Sequence, residues 1–263
     1  MNSAMTAIVK KDLYEITANR RMLLTLLIVP LVLTVLLPVV FVLLIYFVPE
    51  EASDFQSLLA LLPPQASSAG FERTASELVF NHILPVFFLI VPVMESSVMS
   101  ASSFVGEKEK STLETLLYSP LSLKQIFRAK VLASFLLSMA VSLLSFFLML
   151  FVFETVVLLL SGGLILPGIE WLLIMLLVSP ALSMIAITLI VRVSVKAQSV
   201  EDAQQGAVFL LLPVLALVIG QFAGMLLISA WILLGIGCLC ALLAGLLMKK
   251  AMGRFGYEQF LKR

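Results

Sequence analysis

Histidine occurs once in this sequence and cysteine twice, and only 13% of the 263 residues are charged. His82 has no second imidazole to join and no acidic pair inside a span. This argues against a metalloprotease or zinc hydrolase, whose ligands must cluster, and His82 beside Asn81 reads as an interfacial polar residue. Cys238 and Cys240 stand two apart in an apolar run, where helical rotation points them to nearly opposite faces. They read as small packing residues rather than as a disulfide or a metal pair. Phosphate-binding glycines are missing too: the nearest string, Gly106 to Ser111, lacks the Gly-Lys that G-x-x-x-x-G-K-[ST] demands after its spacer. The chain is therefore not expected to bind or hydrolyse nucleotide, and no nucleophile stands with a base to mark it as an enzyme. Neither a cofactor of its own nor a nucleic-acid partner is expected. A cleavable leader is not expected either, because the first apolar run far exceeds a signal core of ~7–15 residues.

What the sequence has instead is apolar length. Hydrophobic residues make up 61% of it and the mean hydropathy is +1.14, far from the balance of a soluble domain. The expected fold is an all-α integral membrane protein, residues 1–263 forming one transmembrane domain of six spans at 22–48, 83–105, 131–153, 171–191, 207–228 and 230–248. Apolar length continues past the third span as far as Leu160, and Pro30 and Pro38 predict kinks in the first. Ahead of it, residues 1–21 place Met5, Ile8, Val9, Leu13 and Ile16 at helical spacing between Lys10, Lys11, Asp12 and Glu15. That pattern predicts an amphipathic helix lying in the interface.

Charge is scarce but unevenly placed. Sixteen of the seventeen Lys and Arg residues fall in the termini, in 106–130 and after the fourth span, leaving Arg73 alone in the loop 49–82. By the positive-inside rule both termini, the segment 106–130 and the tail 249–263 are cytoplasmic, and 49–82 is extracytoplasmic. Trp171 and Glu170 sit where an interfacial anchor would, after a turn at Gly162-Gly163.

The cytoplasmic stretch GEKEKSTLETLLYSPLSLKQIFRAK holds two helix starts, Ser111 with Glu114 and Ser122 with Gln125, each matching the reciprocal capping pattern. Short apolar stripes follow, and Pro120 separates them. The outcome is a pair of short amphipathic helices that need a surface to lie on. Within the spans Glu95 is the one deep carboxylate, followed by Ser96 and Ser97. At mid-depth a charge costs at least ~2.5–3.5 kcal/mol, so this group lines a substrate or ion route, hydrogen-bonds a neighbouring helix, or lies shallow enough toward the cytosol to be hydrated.

In this stretch the sequence resembles the type-2 ATP-binding-cassette (ABC) exporter permeases, particularly the sodium-efflux and drug- or peptide-export branch. The matching residues are Gly106, Glu107, Lys108, Glu109, Thr112, Leu113, Glu114, Leu116, Leu117, Pro120, Ser122 and Lys130. Lys110 and Ser111 replace the commoner Arg-Gly, and Ala129 stands where glycine is frequent. A weaker likeness covers Glu201, Asp202, Gln204 and Gln205. The resemblance implies that residues 107–120 form a coupling helix docked on a separate ABC ATPase, which holds the ATP and magnesium, with 201–205 as a second contact. It also implies a second permease copy, identical or not, and a place in the cytoplasmic membrane of a prokaryote. The implied function is the permease of an ATP-driven exporter. The alternatives are an ion-driven secondary transporter using Glu95, or a membrane sensor or immunity protein that binds a peptide.

Overall fold

The computed structural model describes residues 3–47, 71–109, 112, 121–206, 208–222 and 230–254. Among these the chain is all-α, without a strand, as hydrocarbon requires of a backbone that must satisfy its own hydrogen bonds. Five helices are long and apolar enough to cross a membrane: Leu26–Phe47, Glu72–Glu109, Leu123–Ser161, Ile169–Ser194 and Ala230–Met252. The expected span at 207–228 is described as a helix over Val208–Phe222, 15 residues against the ~20 a crossing takes. The turn expected to follow lies outside the described residues, as does most of the loop 49–82.

In chain order the α-helices are α1 (Ser3–Ala18), α2 (Arg20–Leu31), α3 (Leu37–Phe47), α4 (Phe71–Leu78), α5 (Leu84–Phe88) and α6 (Ile90–Glu109). After these come α7 (Leu123–Ser161), α8 (Ile169–Leu173), α9 (Ser179–Ser194), α10 (Val200–Gln205), α11 (Val208–Phe222) and α12 (Ala230–Arg254). Three spans share one irregularity. A π-helical turn joins α2 to α3 at Val32–Leu36, α4 to α5 at Val79–Ile83, and α8 to α9 at Ile174–Val178. Each ends two residues before a proline, Pro38, Pro85 or Pro180. Proline donates no N–H and its ring crowds the carbonyl four residues back, here that of Thr34, Asn81 or Leu176. Widening the turn absorbs the clash, so the same cause acts three times.

The second span (α4 to α6) and the fourth (α8 and α9) run parallel in a register that hardly drifts. Trp171 Nε1 donates to the Phe80 carbonyl at 3.0 Å, the Ser183 hydroxyl to the Pro92 carbonyl at 3.4 Å, and the Val200 N–H to Glu109 at 2.8 Å, each pair 91 positions apart. Between them α7 runs antiparallel, with Phe153 stacked on Phe80 at 4.3 Å and Phe146 edge-on to Phe88 at 6.2 Å. Small buried residues line the contact, among them Ser96, Ser97 and Ser100 on α6, Ser138, Ser142 and Ser145 on α7, and Ser183 and Ala186 on α9. Small side chains let helices approach where lipid offers no hydrophobic drive to pack. The last span comes equally close to the fourth: a Cβ on Gly237 would lie 2.6 Å from Leu177 Cδ2. Outward, Phe151, Leu159, Leu176, Trp231 and Leu246 are exposed, an apolar face that suits lipid.

Three expectations change. Trp171 is not an interfacial anchor: it is 1% exposed and packed against Phe80, Phe88 and Phe146. The apolar stripe of α1 is covered by protein, with Ile8 and Val9 buried against Ile126, Ala129 and Ala133 of α7. The stretch from Ser122 does not form a separate short helix. Its capping box exists, with the Ser122 N–H donating to Gln125 Oε1 at 2.9 Å, but it opens a helix of 39 residues. No proline or glycine between Leu123 and Ser161 interrupts it, and Gly162, at φ 69°, ends it by accepting the left-handed conformation.

Replacing Trp171 with alanine should destabilise the protein by about 3–5 kcal/mol. The readout is a lowered aggregation temperature of the detergent-purified chain, with no change for Leu172→Ala on the exposed face.

Candidate functional site

Gly106 to Glu109 form the last turn of α6 rather than a loop, because nothing before Glu109 breaks the helix. That extra turn carries Glu107 inward, where only 5% of the residue is exposed. The Lys11 ammonium of α1 donates to its Oε1 and the Thr112 hydroxyl to its Oε2, and Lys130 of α7 stands 3.5 Å from Oε1. Lys130 also lies 3.6 Å from Asp12 and donates to the Ser103 carbonyl, while the Ser103 hydroxyl donates to Asp12 at 2.7 Å. Two carboxylates and two ammoniums from three elements thus close into one network. Asp12, Glu107 and Lys130 are all buried, which charges tolerate only when paired and hydrogen-bonded.

Burial disfavours the Lys11 ammonium. The Glu107 hydrogen bond and the charges of Glu107, Asp12 and Glu15 outweigh that penalty, so its pKa rises above the ordinary 10.5. A raised lysine pKa contributes stability in full below the unfolded value and loses it only as pH climbs through the folded one. The Lys11 bond is therefore closed across the neutral range. Carboxylate oxygens of Asp12, Glu15 and Glu107 lie within 4.8 Å of one another. This is a spacing a cation could use, but Lys11 and Lys130 already supply the positive charge there.

The two cytoplasmic stretches singled out in the sequence meet at this end. Lys108 Nζ donates to the Ala197 carbonyl at 3.0 Å, and Glu109 accepts from the Val200 N–H at 2.8 Å. Ser199 caps α10 by accepting from the Asp202 N–H at 3.1 Å. Ala203 is fully buried beside Ala101, Val105 and Ile190, which leaves Glu201, Asp202 and Gln205 exposed and Gln204 half-buried. Thr112 is exposed, its N–H bonded to the Glu107 carbonyl at 3.0 Å. Leu113, Glu114, Leu116, Leu117 and Pro120, with the cap expected at Ser111, lie outside the described residues.

Glu95 is 3% exposed. At 1.5 Å per residue it sits about 21 Å from both Asn81 and Glu109, inside the second span. The antiparallel register set by Phe80 with Phe153 and Ser103 with Lys130 places it level with Ser138. Its Oε2 finds no hydrogen-bond partner among the described residues, and neither do the Ser134 and Ser142 hydroxyls one turn to either side of that level. Ser96 and Ser97 donate to carbonyls of their own helix, at Pro92 and Val93.

Sequence reasoning passed over Asp12 and Lys11 as solvated charges. One signal could have found Asp12: it stands four residues from both Ile8 and Ile16, on the apolar stripe itself. Lys130 carries the same mark, standing four residues after Ile126 and three before Ala133.

Lys130→Met should cost about 3–5 kcal/mol, since it strands buried carboxylates. The check is the aggregation temperature of the purified protein, and Asp12→Asn added to Lys130→Met should restore at least part of the loss.

A family model described as ABC-2 family transporter protein matches residues 6–230 of the chain. No curated protein and no solved structure matches it.

Proposed function

This chain belongs to the ABC-2 family of transporter proteins, and on that premise we propose that it is the permease of an ATP-driven exporter whose motor is a separate ATPase subunit. It serves as the non-catalytic transmembrane subunit of an ABC transporter. ATP and magnesium sit on the partner, and the segment 108–120, with the exposed Glu201, Asp202 and Gln205, faces that partner from the cytoplasmic side while Glu107 anchors it from within. The observation that supports this most is the anchoring of the GEKEK turn. Glu107 ties it to α1 and α7, and Lys108 and Glu109 tie it to the segment that leads into α10. A pull on this turn therefore reaches α1 and the second, third and fourth spans together. Nucleotide binding that draws two ATPase subunits together would shift a pair of permeases between inward-open and outward-open arrangements, through contacts that differ in the two states. The pairing partner is a second permease copy, identical or not, in the cytoplasmic membrane of a prokaryote.

One observation favours a second reading, transport driven by an ion gradient. Glu95 presents an unpartnered oxygen inside the second span, where bound protons or cations are coupled to movement in many carriers.

Glu114→Ala combined with Leu117→Asp should leave membrane insertion unchanged and lower the co-purified ATPase by about tenfold, the equivalent of 1.4 kcal/mol. Co-purification at the parental level would remove the coupling reading. For Glu95→Gln, export measured across pH and sodium concentration should lose its dependence on one of them if the second reading holds. An unaltered profile leaves Glu95 a packing residue.

A further inference from the structure

Away from the ion network, at the same basic end, α1, α7, α9 and α12 enclose a cavity of about 360 Å³ lined by Met5, Arg128, Val131, Leu132, Phe135, Met184, Met248 and Met252. We propose that this groove binds an anionic glycerophospholipid of the adjoining leaflet, one acyl chain among the methionines and the phosphate at Arg128. The site stands apart from the ATPase partnership, and either can fail without the other.

Depth, chemistry and charge agree on this occupant. From Arg128 to Phe135 the lining follows α7 for about 10 Å, within the ~15 Å of one hydrocarbon leaflet. The volume lies in the range of ligand pockets, roughly 300–1,000 Å³. Every lining residue but Arg128 is apolar. Methionine is unbranched and polarisable, so four of them can follow the irregular contour of a flexible hydrocarbon chain. Arg128 is exposed at the rim, Lys124 is exposed one turn before it, and Lys249 and Lys250 are exposed beside Met248. Among the described residues no carboxylate lines the groove, and Arg128 is its one charged lining residue. A planar guanidinium pairs with phosphate through two parallel hydrogen bonds, and basic pockets between spans at the cytoplasmic face recognise anionic headgroups. A zwitterionic lipid would bring its own cation to the same rim.

The test is native mass spectrometry of the full chain in mild detergent, titrated with dioleoyl phosphatidylglycerol or dioleoyl phosphatidylcholine. Phosphatidylglycerol should be retained about fivefold better or more, as one basic contact at a membrane surface supplies. The preference should disappear in Arg128→Ala with Lys124→Ala and survive in Arg128→Lys. Equal retention of the two lipids, or a preference indifferent to the double substitution, overturns the proposal. Disulfide-linked dimers formed in the membrane by Met248→Cys would also overturn it, by assigning the groove to a second copy of the chain.

Discussion

The contact between Lys130 and two buried carboxylates, Asp12 and Glu107, organises one end of this protein. An ammonium withdrawn from water must be matched in place, and the matching groups come from α1 and α6 as well as from α7. The positions of three helices are thereby set against one another by a requirement stronger than apolar contact alone. In lipid, apolar contact discriminates weakly, because tails and leucines are equally greasy. Charge pairs supply directional constraint where the hydrophobic effect supplies little.

Away from this network, order comes from register. The parallel second and fourth spans keep one offset from Trp171 on Phe80 to Val200 on Glu109, and α7 fits between them through serines at its buried positions. Proline shapes the same spans: at Pro38, Pro85 and Pro180 the helix widens one turn earlier and continues. Such turns leave carbonyls less firmly bonded, and Thr34 answers one of them by donating to the Pro30 carbonyl at 2.7 Å. Glu95 sits level with Ser138, and its Oε2 finds no hydrogen-bond partner among the described residues. The rigid ion network at the basic end and the lone carboxylate inside the second span are therefore different kinds of feature, one closing its charges internally and the other leaving an oxygen available.

Much of the architecture was legible from the residues, and the failures have a common cause. Long apolar runs, the Ser122 and Gln125 cap and the Gly162 turn are local, and the structure shows each of them. Trp171 was misplaced because an aromatic at a span boundary looks the same whether its ring meets headgroups or Phe80. The stripe on α1 was assigned to lipid because periodicity says that a face is apolar without saying what covers it. The short helix from Ser122 merged into the third span because a cap marks a start and carries no information on length.

By itself the sequence determined the membrane class, the helical content, the clustering of basic residues at one end and the GEKEK motif. These depend on composition and on neighbours within a few residues. The tertiary structure alone decided that Glu107 turns inward to Lys11 and Lys130, that Lys108 and Glu109 hold the segment at Ala197 and Val200, and that four methionines from α1, α9 and α12 share one groove. Each of these joins residues tens to hundreds of positions apart, and such partners are chosen by how the helices pack rather than by any local preference of the chain.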